Sequence, residues 1–214
     1  MLPSPSCEQG GEKAPRRKLY CLGDSLTFGY GVAPRERWLN LAAEESGWRL
    51  MNRGVCGDTT GGMLVRLREL LDGASRAEAV LLMGGANDIF YSGSELGARA
   101  NMGAMIQQLL TAGALVLLGI PMPIVPDWHP EAWGAVVDFP AAELLLDRYA
   151  AWLSDYCRAF GVPAVDFRPA FLGEDGGVRR DLYLDGLHPN REGHRRMARL
   201  LCEKLRELEG GRRP

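Results

Sequence analysis

The apolar positions of this chain fall into short runs that alternate with longer stretches of helical spacing. Five short segments predict strands, at residues 19–22, 48–52, 79–83, 114–120 and 162–167. The third segment, Ala-Val-Leu-Leu-Met, contains no polar residue, which is typical of a central parallel strand covered on both faces. Between the segments, apolar residues recur every three or four positions, and this spacing predicts amphipathic helices. The helices are expected at about residues 35–45, 60–72, 95–112, 141–160 and 191–208.

Strands that alternate with helices along the whole chain predict an α/β fold. The expected architecture is a flavodoxin-like, three-layer α/β/α sandwich, in which a five-stranded parallel sheet of strand order 2-1-3-4-5 lies between two helical layers. No internal repeat or change of composition marks a domain boundary, so residues 18–214 are expected to form a single domain. Residues 1–17 are polar and rich in proline, glycine and charge, and a disordered N-terminal arm is expected there.

Composition narrows the class of protein further. The 214 residues are 46% hydrophobic and 24% charged with a net charge of −2, which describes a globular protein and argues against a nucleic-acid surface. The five cysteines form no Cys-x-x-Cys pair, so free thiols in a reducing compartment are expected rather than disulfides or a zinc site. No stretch has the apolar character of a signal peptide or a membrane span. We therefore expect a cytoplasmic protein without a stable membrane anchor, as a monomer or a small homo-oligomer.

Three glycine-containing turns follow the first three predicted strands, and they carry Ser25, Gly57 and Asn87. In a sheet of order 2-1-3 these strands are neighbours, so the three turns share the edge at which α/β proteins bind ligands. Ser25 could then act as a nucleophile. Each residue also has a structural interpretation, because serine and asparagine cap helices and glycine tolerates a positive φ.

A nucleophilic serine needs a base, and the chain has three histidines. His188 lies three residues after Asp185, close enough on one turn for the carboxylate to orient the imidazole. His194 shares a helical face with apolar residues and is expected to pack locally, while His129 is expected on a surface loop. A metal site built on Asp185 and His188 lacks a third ligand nearby, so no metal is expected. The chain also lacks G-x-S-x-G, Walker A and G-x-G-x-x-G patterns, so no nucleotide cofactor is expected.

Taken together, four sequence blocks resemble those of the GDSL, or SGNH, hydrolases. They are Gly-Asp-Ser-Leu at 23–26, Gly-Asp-Thr at 57–59, Gly-Ala-Asn-Asp at 85–88 and Asp-Gly-Leu-His-Pro at 185–189. The blocks occur in the family order, each after a predicted strand, and the resemblance spans residues 19–205. The chain is most similar to the bacterial arylesterase, thioesterase and lysophospholipase branch. Residues 122–139, in a proline-rich stretch predicted to be irregular or partly helical, match no block of the family.

The resemblance implies a serine esterase or acylhydrolase that needs no cofactor. Ser25 would attack the acyl carbonyl, His188 would take its proton, and Asp185 would orient His188. Water would then hydrolyse the acyl-enzyme. The backbone N–H groups of Ser25 and Gly57 and the side-chain amide of Asn87 would form the oxyanion hole.

The substrate implied by the resemblance is a small-molecule carboxylic ester, with thioesters and lysophospholipids left open. A carbohydrate O-acetyl esterase is an alternative, because the same residues could serve it. Candidate pocket residues are Asp24, Tyr91, Trp128 and Trp133. The rings of the three aromatic residues could stack on a sugar or line an acyl pocket. A second alternative is a non-catalytic flavodoxin-like binding module, in which the polar turns are purely structural.

Overall fold

A computed structural model describes residues 17–72 and 78–210 of the chain. Its sheet has five parallel strands in the order β2-β1-β3-β4-β5, so the predicted α/β fold and strand order are confirmed. The strands are β1 (Lys18–Gly23), β2 (Arg49–Gly54), β3 (Ala79–Met83), β4 (Leu115–Ile120) and β5 (Ala164–Asp166). Because side chains alternate between the faces of a strand, β1, β3, β4 and β5 contribute to two apolar cores. On β3, for example, Leu82 faces one core and Leu81 the other.

Helices cover both faces of the sheet. They are α1 (Ser25–Phe28), α2 (Trp38–Ser46), α3 (Thr60–Asp72), α4 (Ala86–Ser92), α5 (Leu96–Thr111), α6 (Glu131–Gly134), α7 (Phe139–Phe160) and α8 (Arg191–Gly210). Helices α2 and α8 bury their apolar residues in one core, and α3, α5 and α7 bury theirs in the other. Three short 3-10 turns, Pro34–Glu36, Arg168–Phe171 and Arg180–Leu182, complete the connections.

The strand register brings the first three carboxyl ends to one edge. Gly23, the last residue of β1, is paired with Gly54 of β2 and with Met83 of β3. A Cβ atom on Gly23 would lie 2.1 Å from Oγ1 of Thr27 and 2.3 Å from the carbonyl oxygen of Met83. Only glycine fits at this position, and its lack of a side chain lets the backbone turn directly from β1 into α1.

The short helices α1 and α4 are not predicted by the sequence pattern, since four and seven residues are too few to show a helical period. The proline-rich stretch is partly helical, as expected, but α7 begins at Phe139 rather than 141. The Asp138 carboxylate caps it by accepting a hydrogen bond from Ala141 N at 3.0 Å, and Pro140 suits the first helical turn.

The predicted N-terminal arm falls almost wholly on residues 1–16, which lie outside the described residues. It therefore stays a prediction. Cys21, Cys56, Cys157 and Cys202 are free thiols. Within residues 17–72 and 78–210, no helix is both long and apolar enough to cross a bilayer.

Candidate active site

Ser25 is the first residue of α1 and follows the β1 strand end directly. Its side chain lies at the floor of a cleft, and the residue is 7% exposed. The Asp24 carboxylate caps the helix by accepting a hydrogen bond from Leu26 N at 2.9 Å. The indole Nε1 of Trp38 donates to the carbonyl of Leu26 at 2.9 Å. These two contacts hold the short helix in place and fix the position of the Ser25 hydroxyl.

His188 approaches Ser25 from the loop before α8. Its Nε2 lies 2.9 Å from the Ser25 Oγ, and its Nδ1 lies 2.8 Å from Oδ2 of Asp185. Because a carboxylate only accepts hydrogen bonds, Nδ1 carries the proton and Nε2 is left to accept from the serine hydroxyl. The three groups thus form a continuous hydrogen-bonded chain.

The Asp185 carboxylate is itself held firmly. Its Oδ1 accepts hydrogen bonds from the backbone N–H groups of Leu187 at 3.1 Å and His188 at 2.8 Å. Burial raises the pKa of Asp185, but the hydrogen bonds from the His188 side chain and backbone outweigh that effect and hold the pKa below its ordinary value. Asp185 is therefore ionised at neutral pH and can stabilise an imidazolium.

Two aromatic rings flank the His188 imidazole. The Tyr30 ring centroid is 4.5 Å from it, and the Trp133 ring meets it edge to face at 5.8 Å. The loop that carries His188 is closed by a hydrogen bond from Leu184 N to the His188 carbonyl at 2.8 Å. His188 is only 5% exposed, so its ring is largely shielded from bulk water.

Gly57 and Asn87 line the same cleft as Ser25. Gly57 has φ of 77°, a left-handed conformation that favours glycine. Asn87 lies in the first turn of α4, and its Nδ2 donates to the carbonyl of Asp58 at 2.8 Å. Since that carbonyl can only accept, its partner must be the amide NH₂ of Asn87, which has a second N–H still available.

The cleft beside Ser25 has a volume of about 300 Å³ and mostly apolar walls. Besides the residues above, its lining comprises Cys56, Phe90, Tyr91, Val136, Val137, Phe139 and Leu187, with Tyr30 and Trp133. Phe90 and Phe139 contact each other at a centroid distance of 5.6 Å. Few polar side chains other than Ser25, Asn87 and His188 reach this space, so the cleft suits an apolar group attached to a reacting carbonyl.

Tyr91 and Trp133 line the cleft, whereas Asp24 and Trp128, also expected in the pocket, lie elsewhere. Asp24 is 1% exposed and lies under α1, because its carboxylate is used as the helix cap. Burial raises its pKa to about 6, against the lowering effects of the Leu26 hydrogen bond and His188. Trp128 packs on the core shared with α8, and the Arg180 guanidinium lies 5.2 Å from its ring.

The other two histidines take structural positions. His194 is fully buried, and its Nδ1 accepts a hydrogen bond from Trp38 N at 3.4 Å. Burial lowers its pKa to about 4, so it is neutral at physiological pH. His129 lies in the proline-rich stretch and stacks on Phe139 at 4.0 Å. Neither is hydrogen-bonded to Ser25, which leaves His188 as the candidate base.

Sequence reasoning missed two groups of residues near the site. Tyr30 and Phe90 line the cleft, and each lies a few residues after a recognised block, which is a signal that could have drawn attention to them. Arg66 and Thr60 bind Asp58 and Asp88 in the turns that carry Gly57 and Asn87. The two aspartates lie in recognised blocks, but no local pattern indicates which residues their carboxylates bind. Among the described residues no cluster of metal-ligating side chains occurs.

The chain is similar in sequence to two known esterases and in fold to a third. The chain is 28% identical over 188 residues to the esterase TesA of Pseudomonas aeruginosa, covering 83% of this chain and 82% of that protein. It is 29% identical over 195 residues to an arylesterase of Vibrio mimicus, covering 88% of each. The structure of an M. smegmatis aryl esterase shares the fold, with a TM-score of 0.75 and 23% identity over 90% of this chain and 99% of that one.

The family model described as the GDSL-like Lipase/Acylhydrolase family matches residues 21–196. This range includes all four sequence blocks and each of the turns that form the cleft floor. The chain therefore belongs to the GDSL-like lipase/acylhydrolase family, and it is a serine ester hydrolase.

Proposed function

We propose that this enzyme hydrolyses carboxylic esters that carry an apolar acyl or aryl group, through a Ser25–His188–Asp185 triad and an acyl-enzyme. The observation that carries the proposal is the hydrogen-bonded chain from the Ser25 Oγ to the His188 Nε2 at 2.9 Å and from Nδ1 to Asp185 at 2.8 Å. Both contacts are within the range for a nucleophile, its base and the group that orients the base.

In the acylation step, the Ser25 Oγ attacks the ester carbonyl while its proton passes to His188 Nε2. A bond forms between Oγ and the carbonyl carbon, and the carbonyl oxygen becomes an oxyanion. When the tetrahedral intermediate collapses, the bond to the alcohol oxygen breaks, and the imidazolium gives its proton to the leaving alcohol. Asp185 stays ionised throughout and stabilises the imidazolium.

In the deacylation step, a water molecule takes the place of the alcohol. His188 accepts one proton from the water as its oxygen attacks the acyl carbon. When the bond between the acyl carbon and Ser25 Oγ breaks, this proton passes to Oγ and the carboxylic acid leaves. The oxyanion formed in both steps would accept hydrogen bonds from the backbone N–H groups of Ser25 and Gly57 and from the free N–H of Asn87. Removing one such donor typically costs a factor of about 10² to 10³ in rate.

The proposed substrate class follows from the size and walls of the cleft. A volume of about 300 Å³ with mostly apolar walls suits a small acyl or aryl group. An octanoyl ester or a phenyl ester has a group of suitable size. The esterase and arylesterase relatives support this class, and thioesters and lysophospholipids share the same reacting carbonyl.

The direct test is hydrolysis of a series of nitrophenyl esters from acetate to octanoate. Wild-type enzyme should hydrolyse the series, and Ser25→Ala should lower the rate by about 10³-fold or more because the nucleophile is lost. Ser154→Ala is a matched control, since Ser154 lies on α7 and its hydroxyl bonds the Ala150 carbonyl. Equal rates in wild type and Ser25→Ala would contradict the proposal.

The carbohydrate O-acetyl esterase alternative is separated by comparing an acetylated sugar with octanoyl and phenyl esters. The apolar cleft offers few partners for sugar hydroxyls, so the apolar esters should react faster. The cytoplasmic location and the monomeric or small oligomeric state expected from the sequence stay predictions.

A further inference from the structure

Asp58 connects the Gly57 turn to the Asn87 side chain. Its backbone carbonyl accepts the hydrogen bond from Asn87 Nδ2 at 2.8 Å, and its own N–H donates to the Val55 carbonyl at 3.1 Å. The direction of this carbonyl therefore determines where the Asn87 amide points, including the N–H that is free to meet an oxyanion.

Arg66, on α3, holds Asp58 through its side chain. The Arg66 guanidinium is hydrogen-bonded to the Asp58 carboxylate through both Nε, at 2.9 Å, and Nη2. The side chains are 25% exposed for Arg66 and 14% for Asp58, so the pair is substantially screened from water. Both nitrogens donate to the same oxygen, Oδ2 of Asp58, so this carboxylate oxygen is held between two charge-assisted hydrogen bonds.

The same guanidinium also reaches the ends of two strands. Its Nη1 donates to the carbonyl of Arg53 at 2.7 Å, and its Nη2 donates to the carbonyl of Gly23 at 3.0 Å. The first carbonyl lies at the end of β2, and the second directly precedes the Asp24–Ser25 turn. One planar group thus binds the ends of β1 and β2 together with the Gly57 turn.

We propose that Arg66 is a positioning residue that aligns the oxyanion hole, acting through the Asp58 carbonyl on the Asn87 amide. This inference rests on the proposed function, because it assumes that Asn87 stabilises an oxyanion. Arg66 does not line the cleft, so it affects the reaction only through the groups it holds.

The test begins with Arg66→Met, which keeps the aliphatic stem but removes every donor. With nitrophenyl acetate, kcat should fall about 10- to 10²-fold while KM changes less than about three-fold, because a misaligned donor loses much of its effect in the transition state. Arg66→Lys, which keeps the charge but loses the planar fork, should recover part of kcat. Arg68→Met is the matched control, since Arg68 is exposed on the same helix and pairs with the exposed Asp72.

The decisive measurement is Arg66→Met in an Asn87→Ala background. Once the Asn87 amide is removed, its alignment no longer matters. The loss in kcat caused by Arg66→Met should then be at least about five-fold smaller than the loss it causes in otherwise wild-type enzyme. An equal loss in both backgrounds, or no loss in either, would overturn the inference. Should Arg66→Met not fold, Asp58→Asn weakens the same contact and gives the same cycle with Asn87→Ala.

The two proposals fail in different ways. If the wild-type enzyme shows no Ser25-dependent hydrolysis, the proposed function fails whatever Arg66 does. If hydrolysis depends on Ser25 but the two losses are equal, only the role of Arg66 fails.

Discussion

Asp24 and Ser25 are neighbours in the chain, but their side chains face different surroundings. The Ser25 hydroxyl meets the cleft, whereas the Asp24 carboxylate is buried beneath α1. One oxygen of that carboxylate accepts from Leu26 N, and its Oδ2 has no hydrogen-bond partner among the described residues. Burial consequently raises its pKa from 3.8 to about 6. A buried carboxylate with a raised pKa should make the free energy of unfolding depend on pH.

The Asp24→Asn variant should become relatively more stable as the pH rises. Between pH 4 and 6 the unfolded chain has lost the Asp24 proton while the folded protein still holds it. The free energy of unfolding of the wild type therefore falls as the pH rises through this range. The variant has no such proton. From pH 4.5 to pH 8, the difference in free energy of unfolding between variant and wild type should shift in favour of the variant by about 2 kcal/mol.

Urea unfolding at a series of pH values measures this difference. Asp138→Asn is the control, because Asp138 also caps a helix, through Ala141 N, but is exposed. Its stability difference should change much less over the same range. A difference for Asp24→Asn that is constant with pH would show that burial does not disfavour the Asp24 charge.

At the scale of elements, α6 and the beginning of α7 form the wall of the cleft that the family blocks do not cover. Trp133 of α6 contacts both the cleft and the His188 ring, and Phe139 at the start of α7 lines the cleft while being only 3% exposed. The wall is built from the proline-rich stretch, which matches no block of the family. Substrate preference should therefore depend on this segment.

Trp133→Ala should change acyl-chain preference. Because it removes apolar surface that an octanoyl chain covers and an acetyl group does not, the ratio of octanoate to acetate kcat/KM should fall about ten-fold or more. Loss of the Trp133 contact with His188 should affect both substrates alike. A change in the octanoate-to-acetate ratio therefore reports the loss of apolar surface in the cleft wall. Trp128→Ala is a matched control from the same stretch, outside the cleft lining, and should leave the ratio unchanged. Equal ratios in wild type and Trp133→Ala would place the acyl chain elsewhere.

Some helices and strands could be predicted from the sequence and others could not. The β3 strand has the bounds that its apolar run predicts, because a short apolar segment between polar residues is typical of a strand buried on both faces. Helices α1 and α4 escape prediction because they are short and begin close after Gly23 and Gly85. Their starts depend on close backbone contacts to residues of other elements, which no local pattern reveals.

At the scale of the whole molecule, the topology brings together residues that are far apart in sequence. Ser25 and His188 are 163 positions apart, yet their side chains are hydrogen-bonded. The alternation of elements predicts the fold class, and the order 2-1-3-4-5 is the usual choice for five such strands. This order brings the turns after β1, β2 and β3 to one edge. Asp185 could be paired with His188 because the two are close in sequence.

Other parts of the site could not be predicted in this way. Arg66 binds the carbonyls of Gly23 and Arg53, and since every residue has a carbonyl, these contacts leave no trace in residue type. Asp24 and Trp128, which were expected in the pocket, lie outside the cleft lining for a related reason. Motif position indicates which turn a residue occupies, but packing decides which way its side chain points.

In the proposed reaction, Ser25 is the nucleophile and forms a covalent acyl-enzyme with His188 as its base. A fluorophosphonate probe tests this most directly, because it reacts covalently with a serine activated by such a base. Mass spectrometry of the treated wild-type protein should show one adduct on the peptide that contains Ser25, and Ser25→Ala should show none. If wild-type protein gave no adduct, or if the adduct persisted in Ser25→Ala, Ser25 would not be the nucleophile.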